Sequence, residues 1–338
     1  MRIEATLEQW KSLYETATRI KELKPWEKLW DIDLIGISRG DEENMVFYSI
    51  LGRGEGCCGI AIYEGLEGLN SFMLLASQKS MNVSSEYAIF NQKSLNCYWG
   101  NREELTDDQQ RVITELGYTY RGKNQWLYFL SFKPGYYPYT PDGEEVLRMG
   151  EYMLDLEQAL KCYDEEKVQA DFESGNMFYV ALKEDKEIDS YGERKLPFTT
   201  FRFGNLLTTD EGLLSKLAQV SKCDRVLEAD ISALGAPVTD EKYARPANPA
   251  LLLLGDANTG AIIRFEFSEP EDNPIVRLAE LLIGFILEYG APTEIKVTNV
   301  IVEAGLEQIC NACGIKLCRV KSLQGLDDFK SSMHSLGL

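Results

Sequence analysis

The final third of the chain alternates between apolar runs of strand length and segments with helical spacing, and this pattern constrains the fold most strongly. Two apolar runs, at 250–257 and 261–267, flank the short turn NTG and therefore predict a β-hairpin. A helix, a strand, a helix, a strand and a last helix follow, at 274–289, 294–299, 301–313, 315–321 and 326–335. Strands that alternate with helices predict a mixed sheet with a parallel portion and flanking helices.

The first 140 residues show a different pattern, in which one helix precedes several short strands. Residues 6–23 place apolar side chains at helical spacing, and Thr6 and Gln9 stand in the positions of a capping box. Polar or glycine-rich turns then separate three β-type runs, at 31–38, 45–51 and 58–64. This order is typical of an antiparallel meander, so an α+β domain is predicted.

The middle of the chain carries a long helical pattern at 144–168 and strand-type runs at 176–184, 198–204 and 224–231. A chain of 338 residues is long for a single hydrophobic core, so two or three domains are expected. A turn-rich segment at 134–143 and a proline-punctuated segment at 232–248 mark the boundaries. The predicted divisions of this mixed α/β chain are 1–140, 141–239 and 240–338.

The net charge of the chain limits the classes of molecule that it is expected to bind. The chain carries 54 acidic and 35 basic side chains, a formal net charge of -19, and no third of it is basic. Proteins that bind nucleic acid gain much of their affinity by neutralising phosphates with basic side chains, so nucleic acid is not the expected ligand. An anionic membrane surface is disfavoured for the same reason. A protein or a small molecule is the expected partner.

The numbers of cysteine and histidine residues limit the catalytic mechanisms and metal sites that are available and indicate the cellular compartment. The chain has eight cysteines and one histidine, His334, so mechanisms and zinc sites that need several imidazoles are excluded within one chain. The N-terminus lacks the apolar core of a signal peptide, and the longest apolar stretch is broken by Glu280. A cytoplasmic protein with free thiols and without a cofactor is therefore predicted.

Two motifs resemble parts of a phosphate-binding loop and of a zinc site, but each lacks elements that such a site needs. The glycines between 52 and 59 lead from one strand into another, whereas a phosphate loop must open a helix. Cys310 and Cys313 form a C-x-x-C pair near Cys318, but a structural zinc site needs four ligands. A hairpin loop and core packing are the respective predictions.

Several stretches resemble families without an assigned activity. A resemblance to an uncharacterised bacterial domain of unknown function is carried by KPWEKLWD (24–31), ILGRGEGCCGIAIYEGLEGLN (50–70) and RGKNQWLYFLSFKPGYYPY (121–139). A second such domain, which often accompanies the first, is resembled by ARPANPALLLLGDANTG (244–260), YGAPTEIKV (289–297) and GIKLCRV…LQGLDDF (314–329). The C-terminal order of elements also resembles the ribonuclease H-like fold.

That fold-level resemblance implies a carboxylate site, because ribonuclease H-like nucleases hold two divalent cations with three or four carboxylates. Asp256 in the hairpin turn GDANTG is the first candidate, Glu280 on the next helix the second, and Asp327 or Asp328 the last. The following strand should end in an aspartate but ends in Thr298–Asn299, so the set lacks a ligand and no complete metal site is predicted. The alternative is that Asp256 only caps backbone N–H groups in its turn.

An aromatic cluster is the second candidate surface. Trp126, Tyr136, Tyr137 and Tyr139 lie in a strand and the turn after it, where aromatic rings stack on ligands or pack in a core. If they bind a partner, an exposed apolar patch is expected there. The sequence thus predicts a non-enzymatic binding or interaction module, and the alternative is a metal-dependent nuclease or phosphodiesterase with a degenerate carboxylate site.

Overall fold

The computed structural model describes residues 2–40, 44–54, 56–197, 209–233 and 236–335, so the strand predicted at 198–204 lies outside the described residues. The chain forms two compact units. Unit 1 comprises residues 1–76, 92–133 and 138–199, and unit 2 comprises residues 77–91, 134–137 and 200–338. The central segment 141–239 contributes elements to both units.

A seven-stranded sheet is the framework of unit 1. Its strands are β1 (Ile35–Arg39), β2 (Val46–Leu51), β3 (Cys58–Glu64), β4 (Ser94–Gly100), β5 (Trp126–Phe132), β6 (Asn176–Leu182) and β7 (Ile188–Lys195). Their spatial order is β5-β4-β3-β2-β1-β6-β7. Every neighbouring pair is antiparallel except β1 and β6, which are parallel. The predicted antiparallel α+β architecture is confirmed, with this one parallel pair added.

Two long helices cover one face of this sheet. The helices of unit 1 are α1 (Leu7–Leu23), α2 (Gly65–Ser77), α4 (Asp107–Glu115) and α5 (Gly143–Glu165); α3 belongs to unit 2. The predicted capping box of α1 is present, because Thr6 Oγ1 accepts from the Gln9 N–H and Gln9 Oε1 accepts from the Thr6 N–H. Leu13 of α1 and Met153 of α5 are fully buried in the same apolar cluster. Full burial of such side chains contributes about 1.5–3 kcal/mol each.

Unit 2 is built on a five-stranded mixed sheet. Its strands are β8 (Val226–Ala233), β9 (Ala250–Asp256), β10 (Ile262–Phe267), β11 (Glu294–Val297) and β12 (Lys316–Arg319). Its helices are α3 (Ser85–Phe90), α6 (Glu211–Ala218), α7 (Pro274–Tyr289), α8 (Val300–Cys313) and α9 (Gln324–Ser335). The strand order is β10-β9-β8-β11-β12. The predicted mixed sheet with flanking helices is confirmed.

The middle strand of this sheet is β8. It precedes the β9–β10 hairpin, which the sequence pattern predicted to be the first element of the C-terminal fold. It pairs antiparallel with β9 on one side and parallel with β11 on the other. Lys296 pairs with Glu228, so two residues further on Thr298 lies beside Asp230, just past the end of β11 and in the carboxyl half of β8. The sheet therefore begins one strand earlier than the hairpin, and this shift decides which residues meet at its carboxyl edge.

No helix within the described part of the chain combines the length and the apolar character that crossing a membrane requires.

Close packing between α7 and α8 depends on Gly305. A Cβ built at Gly305 lies 2.2 Å from Cγ2 of Ile275, far inside van der Waals contact. Ile275 is β-branched and therefore has little rotamer freedom with which to move away. Gly150 in α5 is the opposite case, because a Cβ there meets no atom within 4 Å.

We expect Gly305→Ala to lower the free energy of unfolding by about 1–2 kcal/mol, because overpacking exceeds the gain in helix propensity. The matched variant Gly150→Ala is expected to raise it by about 0.5–1 kcal/mol. Urea denaturation followed by circular dichroism measures both. Equal effects of the two variants would contradict this packing.

Candidate functional site

Two acidic side chains lie on the middle strand of unit 2. Glu228 and Asp230 of β8 are two residues apart and therefore face the same side of the sheet. They are only 5% and 6% exposed, respectively. Buried carboxylates are rare unless they are paired, so each must have a partner.

Lys330 of α9 is the partner of Asp230. Its Nζ lies 2.8 Å from Asp230 Oδ2 and 2.9 Å from Asp327 Oδ1, one turn earlier in the same helix. The Lys330 side chain is 21% exposed. A single ammonium group thus bridges one carboxylate of the sheet and one of the helix.

Burial and charge act in opposite directions on this pair. Burial raises the pKa of the Asp230 carboxyl above its ordinary value, although the Lys330 ammonium and a backbone hydrogen bond partly offset the rise. Burial alone lowers the pKa of Lys330, but attraction to Asp230 and Asp327 outweighs it, and the net pKa is raised. The ammonium therefore stays charged, and it is the group that opposes the rise in the pKa of Asp230.

Glu228 fixes the helix that carries Lys330. Its Oε2 accepts from the Leu326 N–H at 3.1 Å, in the first turn of α9, where backbone donors lack intrahelical partners. At Gly325 a Cβ would lie 2.8 Å from Cα of Gly260 in the β9–β10 turn. The glycine of the LQGLDDF motif thus permits the close approach that places Lys330 over Asp230.

A cavity of about 210 Å³ opens at the carboxyl ends of β8 and β11. Polar and charged side chains line part of it: Asn82, Ser84, Glu86, Tyr87, Asp230, Ser232, Thr298, Asn299 and Lys330. Aliphatic side chains line the rest: Val83, Ile231, Ile275, Ile301 and Val302. All of these residues belong to unit 2. The carboxyl ends of parallel strands are the usual place for a ligand in open α/β sheets.

Hydrogen bonds hold the walls of this cavity. Asn82 Nδ2 donates to the Thr298 carbonyl at 2.8 Å, which ties the segment before α3 to the end of β11. Asn299 Oδ1 accepts from the N–H groups of Ile301 and Val302 and so caps α8. The ribonuclease H-like resemblance predicts an aspartate at this strand end, but this chain has Thr298–Asn299. These two residues have a structural role here instead.

A smaller cavity of about 60 Å³ adjoins the first and shares Tyr87, Ile231 and Ser232 with it. Asn248 lines it and is 6% exposed. Its Oδ1 has no hydrogen-bond partner among the residues that the structure describes. A buried acceptor without a donor is costly and points to a group that would satisfy it.

Three of the four carboxylates predicted from the sequence, Asp256, Glu280 and Asp327, have separate partners. Asp256 Oδ1 accepts from the N–H groups of Asn258 and Thr259, both at 3.0 Å, which is the turn-capping alternative. Glu280 pairs with Arg277 at 2.6 Å.

Asp327 pairs with Lys330, and Asp328 is exposed. Within the described ranges no three His, Cys, Asp or Glu side chains are placed to hold a metal ion. The structure therefore does not gather Asp256, Glu280 and Asp327 into one metal site.

The aromatic residues singled out in the sequence do not form an exposed patch. Tyr136 is buried and its hydroxyl donates to Glu271 at 2.7 Å. Tyr137 is half-buried against Phe90, with 4.8 Å between ring centroids.

Tyr139 lies half-buried beneath the Arg2 guanidinium, and Trp126 is also half-buried. Tyr136 and Tyr137 belong to unit 2, whereas Trp126 and Tyr139 belong to unit 1. The exposed patch that a docking role requires is therefore absent at these four residues.

The remaining motifs have structural roles. Cys310 and Cys313 are buried on α8, and burial raises the pKa of both thiols. The glycine loop joins the antiparallel strands β2 and β3, and Gly52 has a positive φ of 127°. Core packing and a hairpin loop are the observed roles.

Sequence reasoning missed Asp230 and Lys330. The segment VLEADISA contains two acidic residues at strand spacing in an otherwise apolar run, which is a signal for buried, paired carboxylates. The strand itself was predicted, at 224–231, but not as part of the C-terminal sheet. Its partner lies 100 residues away in the sequence, so spacing alone does not identify it.

We expect Lys330→Met to lower the free energy of unfolding by roughly 2–3 kcal/mol at pH 7, because Asp230 is left buried without its counter-charge. The expected loss is smaller than the cost of breaking a fully buried ion pair, because Lys330 is partly exposed. Lys316→Met is the control, since Lys316 pairs with Glu294 at the surface of the same unit. Urea denaturation of both variants measures the difference, and a loss no larger than that of the control contradicts the role of Lys330.

The loss of unfolding free energy caused by Lys330→Met should depend on pH. A native pKa of Asp230 above its unfolded-state value means that protonation favours the native state. Loss of the Lys330 ammonium raises the native pKa of Asp230 further, so the destabilisation caused by Lys330→Met is expected to shrink as pH falls through the variant's raised pKa and to level off once Asp230 is protonated in both native proteins. Denaturation at several pH values measures this, and a pH-independent loss contradicts it.

Matches among solved structures include viral integrases. The HTLV-2 integrase catalytic core domain in complex with magnesium matches in a trimeric form, with 13% identity, a TM-score of 0.24 and coverage of 32% of this chain and 65% of that chain. Its dimeric form matches with 13% identity, a TM-score of 0.23, and 32% and 66% coverage. A simian T-cell lymphotropic virus intasome in complex with PP2A regulatory subunit B56 gamma matches with 12% identity, a TM-score of 0.24, and 32% and 39% coverage. The chain thus spans less than two thirds of each of these chains.

Family comparisons cover most of the chain, whereas no curated protein matches it. Residues 213–334 match the domain of unknown function DUF6930. Residues 10–180, half of the chain, match the domain of unknown function DUF7309. The expected pair of successive domains of unknown function is confirmed, and the protein belongs to the DUF7309 family.

Proposed function

We propose that the protein is a non-catalytic binding module whose ligand site is the cavity at the carboxyl ends of β8 and β11. The observation that carries the proposal is the bridge from Lys330 Nζ to Asp230 and Asp327, at 2.8 and 2.9 Å. Asp230 and Asp327 are thus already engaged by an ammonium group of the chain itself.

The residues present do not fit the divalent cations that the fold resemblance implies. Mg²⁺ and Mn²⁺ need several free oxygen ligands in a tight shell. Lys330 Nζ contacts one oxygen of Asp230 and one of Asp327, and the other Asp327 oxygen accepts from the Leu323 N–H. Asn299 Oδ1 is committed to capping α8.

The cavity is suited to a small molecule. Its volume of about 210 Å³ is below the roughly 300–1,000 Å³ of sites for drug-sized ligands. Its lining combines aliphatic side chains with a few polar groups, which is the usual composition of such sites. The net charge of -19 supports a ligand other than nucleic acid.

The proposal includes a cytoplasmic location. All eight cysteines are free, at the positions Cys57, Cys58, Cys97, Cys162, Cys223, Cys310, Cys313 and Cys318. Free thiols persist in a reducing compartment, which supports this assignment.

Metal titration separates this proposal from a nuclease or phosphodiesterase. The wild-type protein is expected to show no change of Tm in millimolar Mg²⁺ or Mn²⁺ and no cleavage of phosphodiester substrates. Lys330→Ala frees Asp230 and Asp327, so Mn²⁺ is expected to raise the Tm of this variant. The double variant Asp230→Asn/Lys330→Ala is the control and should lose that response. Metal-dependent stabilisation or cleavage by the wild-type protein would contradict the proposal.

A further inference from the structure

The charges around the cavity leave an excess of carboxylate. Asp230 and Asp327 share the single ammonium group of Lys330, which leaves a formal charge of -1 from these three groups. Glu86 also lines the cavity and has no ion-pair partner among the described residues. Adding its charge of -1 gives -2 for the four groups, so the local field favours a cation.

From this excess of carboxylate, and resting on the proposed function, we propose that the ligand is a small aliphatic amine. Its ammonium group binds near Glu86, and its hydrocarbon part lies on the aliphatic floor of the cavity.

Helix ends do not reverse the sign of this field. The N-terminal turns of α7 and α8 contribute Ile275, Ile301 and Val302 to the lining, and the positive end of a helix dipole amounts to about half an elementary charge. Two such ends supply about +1 against -2 from the side chains. Asn299 and Asn273 also cap these helices, so part of their N–H capacity is already used. An anion therefore meets net repulsion.

The aliphatic floor accounts for the hydrocarbon part of the ligand. Ile231, Ile275, Ile301, Val302 and Val83 line the cavity together. Burial of methylene groups against them is favourable by the ordinary hydrophobic effect. A short alkyl chain uses this surface, whereas a compact inorganic cation does not.

A second, independent observation calls for a hydrogen-bond donor. Asn248 Oδ1 is buried without a partner and lines the adjoining cavity, which shares Tyr87, Ile231 and Ser232 with the first. An ammonium group offers three donors and no acceptor, so it satisfies a lone amide oxygen. A diamine places one donor group near Glu86 and a second toward Asn248.

Three four-carbon compounds test this assignment on the full chain: 1,4-diaminobutane, 1,4-butanediol and succinate. They share an alkyl chain and differ in the charge of their ends. We expect 1,4-diaminobutane to bind in isothermal titration calorimetry and to raise the Tm, with binding that weakens as sodium chloride is increased. The diol is expected to bind more weakly and succinate not at all.

Glu86→Gln should weaken diamine binding roughly two- to fivefold, because it removes a partly screened charge from the cavity. Glu307→Gln is the matched control, since Glu307 is exposed on α8 and does not line this cavity. Both positions are exposed, so neither variant should fail to fold.

Absence of diamine binding, equal binding of all three compounds, or equal effects of the two variants would overturn the amine assignment. Binding of succinate or of the diol in preference to the diamine overturns it too, but leaves the cavity as a ligand site. Metal-dependent cleavage by the wild-type protein removes the proposed function itself, so the two failures are distinguishable.

Discussion

The buried ion pair between Asp230 and Lys330 is the interaction on which the candidate site depends. A carboxylate that is 6% exposed on the middle strand of a sheet is stable only with a counter-charge nearby. In cation-dependent enzymes with a carboxylate site, a metal ion supplies that charge. Here an ammonium group of the chain supplies it, and the polar edge of the sheet becomes a ligand site without metal chemistry.

The position of Lys330 follows from the way α9 meets the sheet. Glu228 accepts from the first turn of α9, and Gly325 passes Gly260 at a distance that no side chain permits. These contacts fix the first turn of the helix, and Lys330 lies about one and a half turns beyond Gly325. Loss of any one of them moves the ammonium group away from Asp230. The LQGLDDF motif is therefore a packing requirement as well as a mark of the family.

Local features of the fold were predictable from the sequence because nearby residues encode them. The capping box of Thr6 and Gln9, the meander of β1 to β3 and the turn at Asp256 each depend on residues a few positions apart. The central place of β8 was not predictable in this way, since a proline-rich segment separates it from β9. The Asp230–Lys330 pair joins residues 100 positions apart, and periodicity carries no information on such a pairing. The sequence left open whether the aromatic residues pack in the core or bind a partner, because burial of a turn depends on what covers it.

The protonation state of Lys330 tests the account most directly. Nuclear magnetic resonance of the Lys330 ¹⁵Nζ group can follow its titration in the presence and absence of Mg²⁺. The account predicts an ammonium pKa above the ordinary value for lysine, because Asp230 and Asp327 hold the charged form, and a signal unchanged by millimolar Mg²⁺. An ordinary or lowered pKa, or displacement of the ammonium group by Mg²⁺, would contradict it.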